Sequence, residues 1–479
     1  MPGITCPLHE AAECDPAAPA IVAPHRQYTY GEYDAYVNGT MANLHKAGFG
    51  EGHLVCIALP PGTPTPILLM ALFRLGAVAV PVNTRFPAQY LLDMLKRVRC
   101  KNMIVPYGAS VTTAHGKLYA LAPHDLVDDR IETDEAISLP LERPATIMLT
   151  SGSASIPKAA LHSYGNHYHN ALRSNRNIPV DPGDRWLLSL PLYHVAGIGI
   201  LFRCLLGGGT VVFPGANEGM ADTILKYRVT HVSLVPTQLF RLLQDPTGVE
   251  ALRRLKAILL GGSAIPEALL RRAHEAKLPL FTTYGLTEMA SQVATTRPGD
   301  PLDRLLTSGR PLAADSVRIS KQGEILVRGK TRFLGYVSGS TLEPPFIEEG
   351  WFPTGDLGHL DAQGYLHVTG RRDSRFVAGG ENIQPEEVEA ALCGIEGVLE
   401  AVVVPVESEE FVATPVAFVR LESRACPDEA LLAEQLGPRL PRYKIPRRFF
   451  PWPEEDPGEA MKISRQEWAD RARDQLRAS

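Results

Sequence analysis

Short β-branched runs alternate with amphipathic segments over most of this chain, and that rhythm constrains its fold more than any other feature. Candidate strands fall at 54–59, 77–82, 102–105, 146–150, 210–213, 231–235 and 256–260. Between several of them lie segments with helical spacing, such as 88–98, 237–243 and 266–276. Alternation of this kind predicts helices packed on stacked, mostly parallel sheets, an α/β fold class. From 317 to 368 the rhythm changes to short strands with Gly and Asp turns, which predicts a small antiparallel β unit.

A charged segment without apolar periodicity, 370–375, marks a boundary. After it come a helix, two strands and another helix, enough for a small α+β domain of about a hundred residues. The expected organisation is therefore a large domain over 1–369 and a small mobile one over 370–479. With 479 residues, at least two domains are expected on length alone.

Composition excludes several classes. A net charge of −5 argues against nucleic acid or an anionic membrane as the main partner. The most apolar stretch, 66–82, is interrupted by Arg74 and too short to span a bilayer, so it reads as a buried helix feeding a strand. The N-terminal residues lack the basic and apolar regions of a signal peptide. Seven scattered cysteines contain no CxxC pair, so neither a zinc site nor a disulfide framework is indicated, and a reducing cytoplasm fits best. His162, His167 and His169 are spaced as metal ligands can be, but no acidic or cysteine partner stands near them.

Thr150-Ser151-Gly152-Ser153-Ala154-Ser155-Ile156-Pro157-Lys158 follows a strand and packs hydroxyls, a glycine and a lysine into nine positions. Small side chains let backbone N–H groups approach an anion, hydroxyls add donors, and the lysine supplies charge. That is phosphate-binding chemistry, although the segment is not a P-loop, which would carry GK followed by Ser or Thr. A solvated serine-rich turn is the alternative.

The segment resembles the signature loop of the adenylate-forming superfamily (acyl-CoA ligases, adenylation domains, luciferases), with Ala154 and Ser155 departing from its usual Thr and Gly. Further matches follow in the superfamily's order. Gly261-Gly262-Ser263-Ala264 corresponds to the turn that lies against adenine. Tyr284-Gly285-Leu286-Thr287-Glu288 corresponds to the element in which Tyr284 stacks on adenine, Thr287 bonds the α-phosphate and Glu288 helps hold Mg²⁺; the alternative is a turn and a helix capped by Thr287. Asp356 in Thr354-Gly355-Asp356 would grip the ribose hydroxyls, unless it is only an Asx-turn. Gly370-Arg371-Arg372-Asp373 resembles the hinge motif, with Arg371 on the ribose or α-phosphate and Asp373 as the turning residue. The loop at Gly379 and Gly380 would line a thiol tunnel, and Met461-Lys462-Ile463-Ser464-Arg465 places Lys462 as the C-terminal catalytic lysine.

The resemblance implies ATP and coenzyme A as co-substrates with Mg²⁺, a small carboxylic acid as the partner, and no nucleic acid. The stretches 189–203 and 231–243 are similar to the o-succinylbenzoate–CoA ligase family of menaquinone biosynthesis. Such an acid carries a second carboxylate, and Ser189, His194 and Arg203 are the candidate residues for it, with an outward-facing Arg203 as the alternative. Another aryl- or medium-chain acyl-CoA synthetase, a module loading a carrier-protein thiol, and a non-catalytic nucleotide-binding relative remain open. A homo-oligomer is compatible with the sequence and not specified by it.

Overall fold

The computed structural model describes residues 3–86, 88–106, 119–121, 124–127, 129–150, 158–378, 381–408, 412–422, 426–453 and 465–478. Among the described residues two large sheets dominate, one of eight strands and one of nine. In the first, strands Pro144–Thr150, Val78–Pro81, Leu54–Ile57, Asn102–Ile104 and Tyr119–Leu121 run parallel. Lys158–Ser163 then folds back antiparallel beside Pro144–Thr150. In the second, six neighbouring strands from Leu280–Leu286 to Pro19–Ala23 run parallel, with antiparallel strands at both edges. The fold is the expected stack of mostly parallel sheets with helices. Each strand expected from the sequence is present, with ends that differ by one or two residues.

One apolar core joins the sheets. It contains Val55, Ile57 and Met148 from the first, Trp186, Val211 and Leu259 from the second, and the buried faces of helices Tyr30–Lys46, Pro64–Leu75 and Val195–Gly207. Pro64–Leu75 shows how sequence dictates such an element. Prolines stand in its first turn, where no N–H bond is lost, and Gly76 closes it at a left-handed φ of 77°. No helix among the described residues is long and apolar enough to cross a membrane. Arg74, the charge that interrupts the apolar run, is buried and paired. It binds the Asp34 carboxylate, Asn38 Oδ1 at 2.5 Å and Cys6 Sγ at 3.3 Å, while His9 Nδ1 lies 3.0 Å from the other Asp34 oxygen.

The antiparallel unit expected at 317–368 is narrower than the sequence suggested. Val317–Ile319, Glu324–Val327, Phe352–Leu360 and Leu366–Arg371 form a four-stranded antiparallel sheet. Gly335–Ser338 and Thr341–Glu343 leave it and extend the eight-stranded sheet through Lys158–Ser163. The backbone crosses at Gly335, whose φ of 148° and 2.8 Å gap between an added Cβ and the Glu343 carbonyl admit only glycine.

The C-terminal portion has its own cores. Strands Val398–Ser408 and Val412–Leu421 pair antiparallel, and Phe449–Pro451 adds in parallel. Val403 faces helices Pro385–Cys393 and Glu429–Leu436 through Val388, Leu392 and Leu432. Val402 and Val404 face Trp468 on helix Arg465–Ala478, as a period of two requires.

Removing one partner of a buried ion pair leaves an uncompensated charge. Asp34→Asn is expected to lower unfolding free energy by about 3–5 kcal/mol, read as a lower urea midpoint; an unchanged midpoint contradicts the pairing.

Candidate active site

Thr354-Gly355-Asp356 lies inside the irregular strand Phe352–Leu360 rather than in a simple Asx-turn. Thr354 Oγ1 donates to the Ile325 carbonyl (2.7 Å) and accepts the Asp356 N–H (3.0 Å), and Gly355 N–H donates to Glu324 Oε1 (2.9 Å). Gly355 holds φ 76°, and a Cβ there would stand 3.0 Å from Arg371 Nη2. This frame aims the Asp356 carboxylate. Tyr284 Oη donates to one oxygen at 2.6 Å and Arg371 Nη1 to the other at 2.9 Å. Arg371 also grips Asp373 with Nε and Nη2, at 2.8 and 3.1 Å. Burial and the Asp356 charge push the Tyr284 hydroxyl well above its ordinary pKa, so it stays a donor.

Thr287 does not cap a long helix. Strand Leu280–Leu286 ends in a single 3₁₀ turn, Thr287–Met289, with Leu286 at the cap position and Ala290 at φ 55°. Gly285 is needed because an added Cβ would meet the Ser291 carbonyl at 2.2 Å. The turn presents Glu288, whose carbonyl accepts the Phe333 N–H (2.8 Å) and whose Oε1 accepts Tyr336 Oη (2.6 Å). Lys158 Nζ stands 4.8 Å from the centre of the Tyr336 ring. Lysine, phenol and carboxylate thus adjoin. One carboxylate beside a lysine suits Mg²⁺ that arrives with nucleotide phosphates, since this ion keeps much of its water and takes few protein ligands. Tyr336 was not singled out from sequence; the glycine before it was its only local sign.

Strand pairing places Thr150 opposite Lys158, so the phosphate-loop candidate leaves and returns at one point of the sheet. Ser151, Gly152 and Ser153 lie outside the described residues, as do Gly379, Gly380 and Lys462. Arg465, three positions after Lys462, binds Glu386 at 3.0 Å and Glu389 at 2.5 and 3.0 Å. That anchors the end of the lysine segment to helix Pro385–Cys393. Gly261–Ala264 follow strand Ala257–Leu260. A Cβ at Gly261 would stand 2.6 Å from Thr283 Cγ2, while Gly262, Ser263 and Ala264 are exposed. The turn therefore packs closely on Thr283 at Gly261 and presents small exposed residues after it.

His162 and His167 do other work than metal binding. Both are fully buried with ring centres 5.2 Å apart. His162 Nε2 donates to the Thr287 carbonyl at 2.7 Å, and His167 Nε2 lies 2.8 Å from Thr146 Oγ1 on the strand that leads to the phosphate loop. The pair bridges that strand and the Thr287 turn. No group of three or more metal-ligating side chains occurs among the described residues.

A second constellation lies in the nine-stranded sheet. Arg203 is 1% exposed, not outward-facing. Its Nη2 donates to Gln292 Oε1 at 3.0 Å, its guanidinium lies 5.0 Å from the Trp186 ring centre, and Nε and Nη1 have no protein partner. Among the described residues no carboxylate reaches it. Burial lowers its pKa to about 10, so it is still charged at neutral pH. Trp186 Nε1 donates to Ser233 Oγ at 3.2 Å, and Ser189 Oγ donates to the Ser233 carbonyl. Ser189 and Arg203 are thereby joined through Ser233 and Trp186, and Gln292 holds Arg203 from another strand; sequence reasoning singled out none of these three. His194 sits half-buried at the cap position of helix Val195–Gly207, its ring 4.7 Å from that of Tyr193. The chain passes so tightly here that a Cβ at Gly197 would meet the Pro191 carbonyl at 2.2 Å.

A carboxylate braced by tyrosine and arginine, and a Lys158–Tyr336–Glu288 row, are chemistry that suits the ribose and phosphates of a nucleotide. The family model for AMP-binding enzymes matches residues 8–337, and that for the AMP-binding enzyme C-terminal domain matches 387–457. The chain belongs to the AMP-binding enzyme family. It is 34% identical to the 2-succinylbenzoate–CoA ligase of Bacillus velezensis over 463 residues, 92% of this chain and 93% of the relative. The o-succinylbenzoate CoA synthetase of Bacillus subtilis, in complex with the acyl-adenylate intermediate OSB-AMP, superposes with a TM-score of 0.87 at 29% identity, covering 98% of each chain. The same enzyme in complex with ATP and magnesium ion gives 0.84 at 28%, covering 97% of this chain and 99% of that one.

Burial, above all, lowers the His162 pKa from 6.5 to about 4. Its neutral form therefore stabilises the fold fully above pH 6.5, and that contribution is lost as pH falls towards 4. The urea midpoint is expected to drop between about pH 7 and pH 5, and His162→Gln to shrink that drop. An equal drop in the variant rules the imidazole out.

Proposed function

We propose that the protein is an AMP-forming 2-succinylbenzoate–CoA ligase, and the observation that carries this reading is Arg203. A guanidinium buried without a carboxylate is a costly arrangement unless a ligand supplies the anion. The second carboxylate of 2-succinylbenzoate would do so, its aromatic ring lying against the apolar residues near Trp186. Ser189 and His194 would line the same pocket. The likeness to 2-succinylbenzoate–CoA ligases along nearly the whole chain supports the choice.

A free carboxylate is a poor acyl donor, because oxide is a bad leaving group. Its oxygen attacks the ATP α-phosphorus and pyrophosphate leaves; the thiol of coenzyme A then attacks the acyl carbon of the mixed anhydride, so that a thioester forms, AMP leaves and the thiol proton is released. Catalysis of the first step is positioning and charge neutralisation. Asp356 would take the ribose hydroxyls, with Tyr284 and Arg371 holding its geometry. Gly261–Ala264 and the Tyr284 edge would frame the adenine. Thr150, Ser151, Gly152, Ser153 and Lys158 would hold the β- and γ-phosphates, and Thr287 the α-phosphate. Glu288 would hold Mg²⁺, which when bound would supply charge neutralisation on the polyphosphate. Lys462 would neutralise charge between the acid and the α-phosphate.

In the same reading residues 1–369 and 370–479 act as two domains. Rotation at Asp373 would withdraw Lys462 and bring Gly379 and Gly380 to the acyl group for thioester formation. Arg371 touches both Asp356 and Asp373, so it sits at that joint.

Two variants test the assignment. Arg203→Met is expected to raise the KM for 2-succinylbenzoate roughly 30-fold while leaving the KM for ATP within about twofold. Because it removes an uncompensated buried charge, it should not lower the melting temperature. An unchanged KM for the acid sinks the role. Lys462→Ala is expected to abolish adenylate formation, measured as acid-dependent pyrophosphate release, yet to leave thioester formation from supplied adenylate largely intact. Equal loss of both half-reactions contradicts it.

A further inference from the structure

A cavity of about 470 Å³ opens on the antiparallel side of the molecule, lined in part by Arg173, Asp315, Arg328, Lys330, Arg332 and Glu349. None of the residues assigned above to nucleotide, acid or thiol lines it. Four cationic side chains face two acidic ones, and the acidic ones do not cancel them evenly. Arg328 Nη1 lies 3.6 Å from Glu349, and its Nε donates to the Asp315 carbonyl at 3.1 Å. Arg332 donates to the Gly350 carbonyl and spreads over the Phe346 ring, with its Nε unpartnered. For Arg173 and Lys330 no acidic partner occurs among the described residues. Arg173 nevertheless approaches the cavity wall closely, its Nη1 3.5 Å from the position of a Cβ on Gly329.

The backbone of the same wall is unusual. Asp315 (φ 52°) and Glu349 (φ 57°) are two of the few non-glycine residues in the left-handed region, and Gly329 and Gly350 adjoin them at φ 127° and 73°. Left-handed backbone at non-glycine residues costs energy and gathers where function keeps it. The field of the cavity reaches its surroundings too. His169 is lowered to about 4, first by burial and then by Lys330 and Arg173.

We propose that this cavity is a second anion site, distinct from the reaction centre, that takes a dianionic phosphoryl group between Arg173 and Lys330. The fork of an arginine matches two phosphate oxygens, and a lysine adds a mobile point charge, so a dianion satisfies both at once where a single carboxylate leaves one unmet. The phosphoryl group has two possible sources, free pyrophosphate or a phosphorylated nucleoside. The inference is independent of the acid assigned above and of the ligase chemistry.

The test is calorimetric titration of inorganic pyrophosphate into the full chain and into its Arg173→Ala/Lys330→Ala variant, with no nucleotide added, because a nucleotide can fill the proposed site as well as the reaction centre. Pyrophosphate is expected to bind, and Arg173→Ala/Lys330→Ala to weaken it at least tenfold while acid-dependent ligase turnover persists. Absence of binding by pyrophosphate and by adenosine 3′,5′-bisphosphate alike, or a smaller loss in the double variant, overturns the site. If the double variant misfolds, Lys330→Gln at an exposed position serves, with at least threefold weakening expected and less than that overturning the site. A parallel titration with adenosine 3′,5′-bisphosphate identifies the source, since the probe whose binding the double variant weakens more carries the recognised group.

Discussion

Charge taken out of water must be met by opposite charge or by dense hydrogen bonding, and two arginines show how this chain uses that constraint. Arg74 and Arg203 both project from apolar helices into one core. Arg74 is met by Asp34, Asn38 and Cys6, and it ties the first two helices to helix Pro64–Leu75. Arg203 is met by an amide oxygen and an aromatic face, with two nitrogens unpartnered. The first arrangement is complete without a ligand. The second becomes complete when an anion arrives, which is why the proposed acid specificity rests there.

In the proposed reading the Asp356 carboxylate is the corresponding device on the nucleotide side. Its two oxygens are claimed by Tyr284 from the nine-stranded sheet and by Arg371 from the end of the four-stranded one. Glycine at 355 and the Thr354 bonds hold the strand irregular enough to aim it. Arg371 divides its donors between Asp356 and Asp373. Under the proposed two-domain reading, a turn at Asp373 exchanges one set of these bonds while the other can persist, so the joint moves without losing its grip on the ribose-binding carboxylate.

Much of this was legible in the sequence because periodicity and turn chemistry are local. The alternating runs gave the strands, and left-handed or crowded glycines such as 355, 261 and 197 marked places where backbone comes close to something else. What was not legible depends on contacts between distant segments. Tyr336 reaches Glu288 only because Gly335–Ser338 abandons its expected sheet for the edge of another. His162 and His167 carry a metal-like spacing, yet their partners, Thr287 and Thr146, are fixed by sheet packing. The alternative reading of Thr287, a helix cap, fails because the tertiary fold makes only a lone 3₁₀ turn there. Arg203 reads equally well as buried or exposed on a helix, because its seat depends on packing against the Trp186 strand and on Gln292, 89 residues further along.

The most direct test of the central claim is coenzyme A-dependent pyrophosphate release, measured with the wild-type chain over matched acids. The panel pairs 2-succinylbenzoate with 4-oxo-4-phenylbutanoate, which lacks the ring carboxylate, and with benzoate and a medium-chain fatty acid. The account predicts a preference of at least tenfold in kcat/KM, about 1.4 kcal/mol, for the dicarboxylate. Equal turnover of the acid without the second carboxylate, or none with 2-succinylbenzoate, would contradict it.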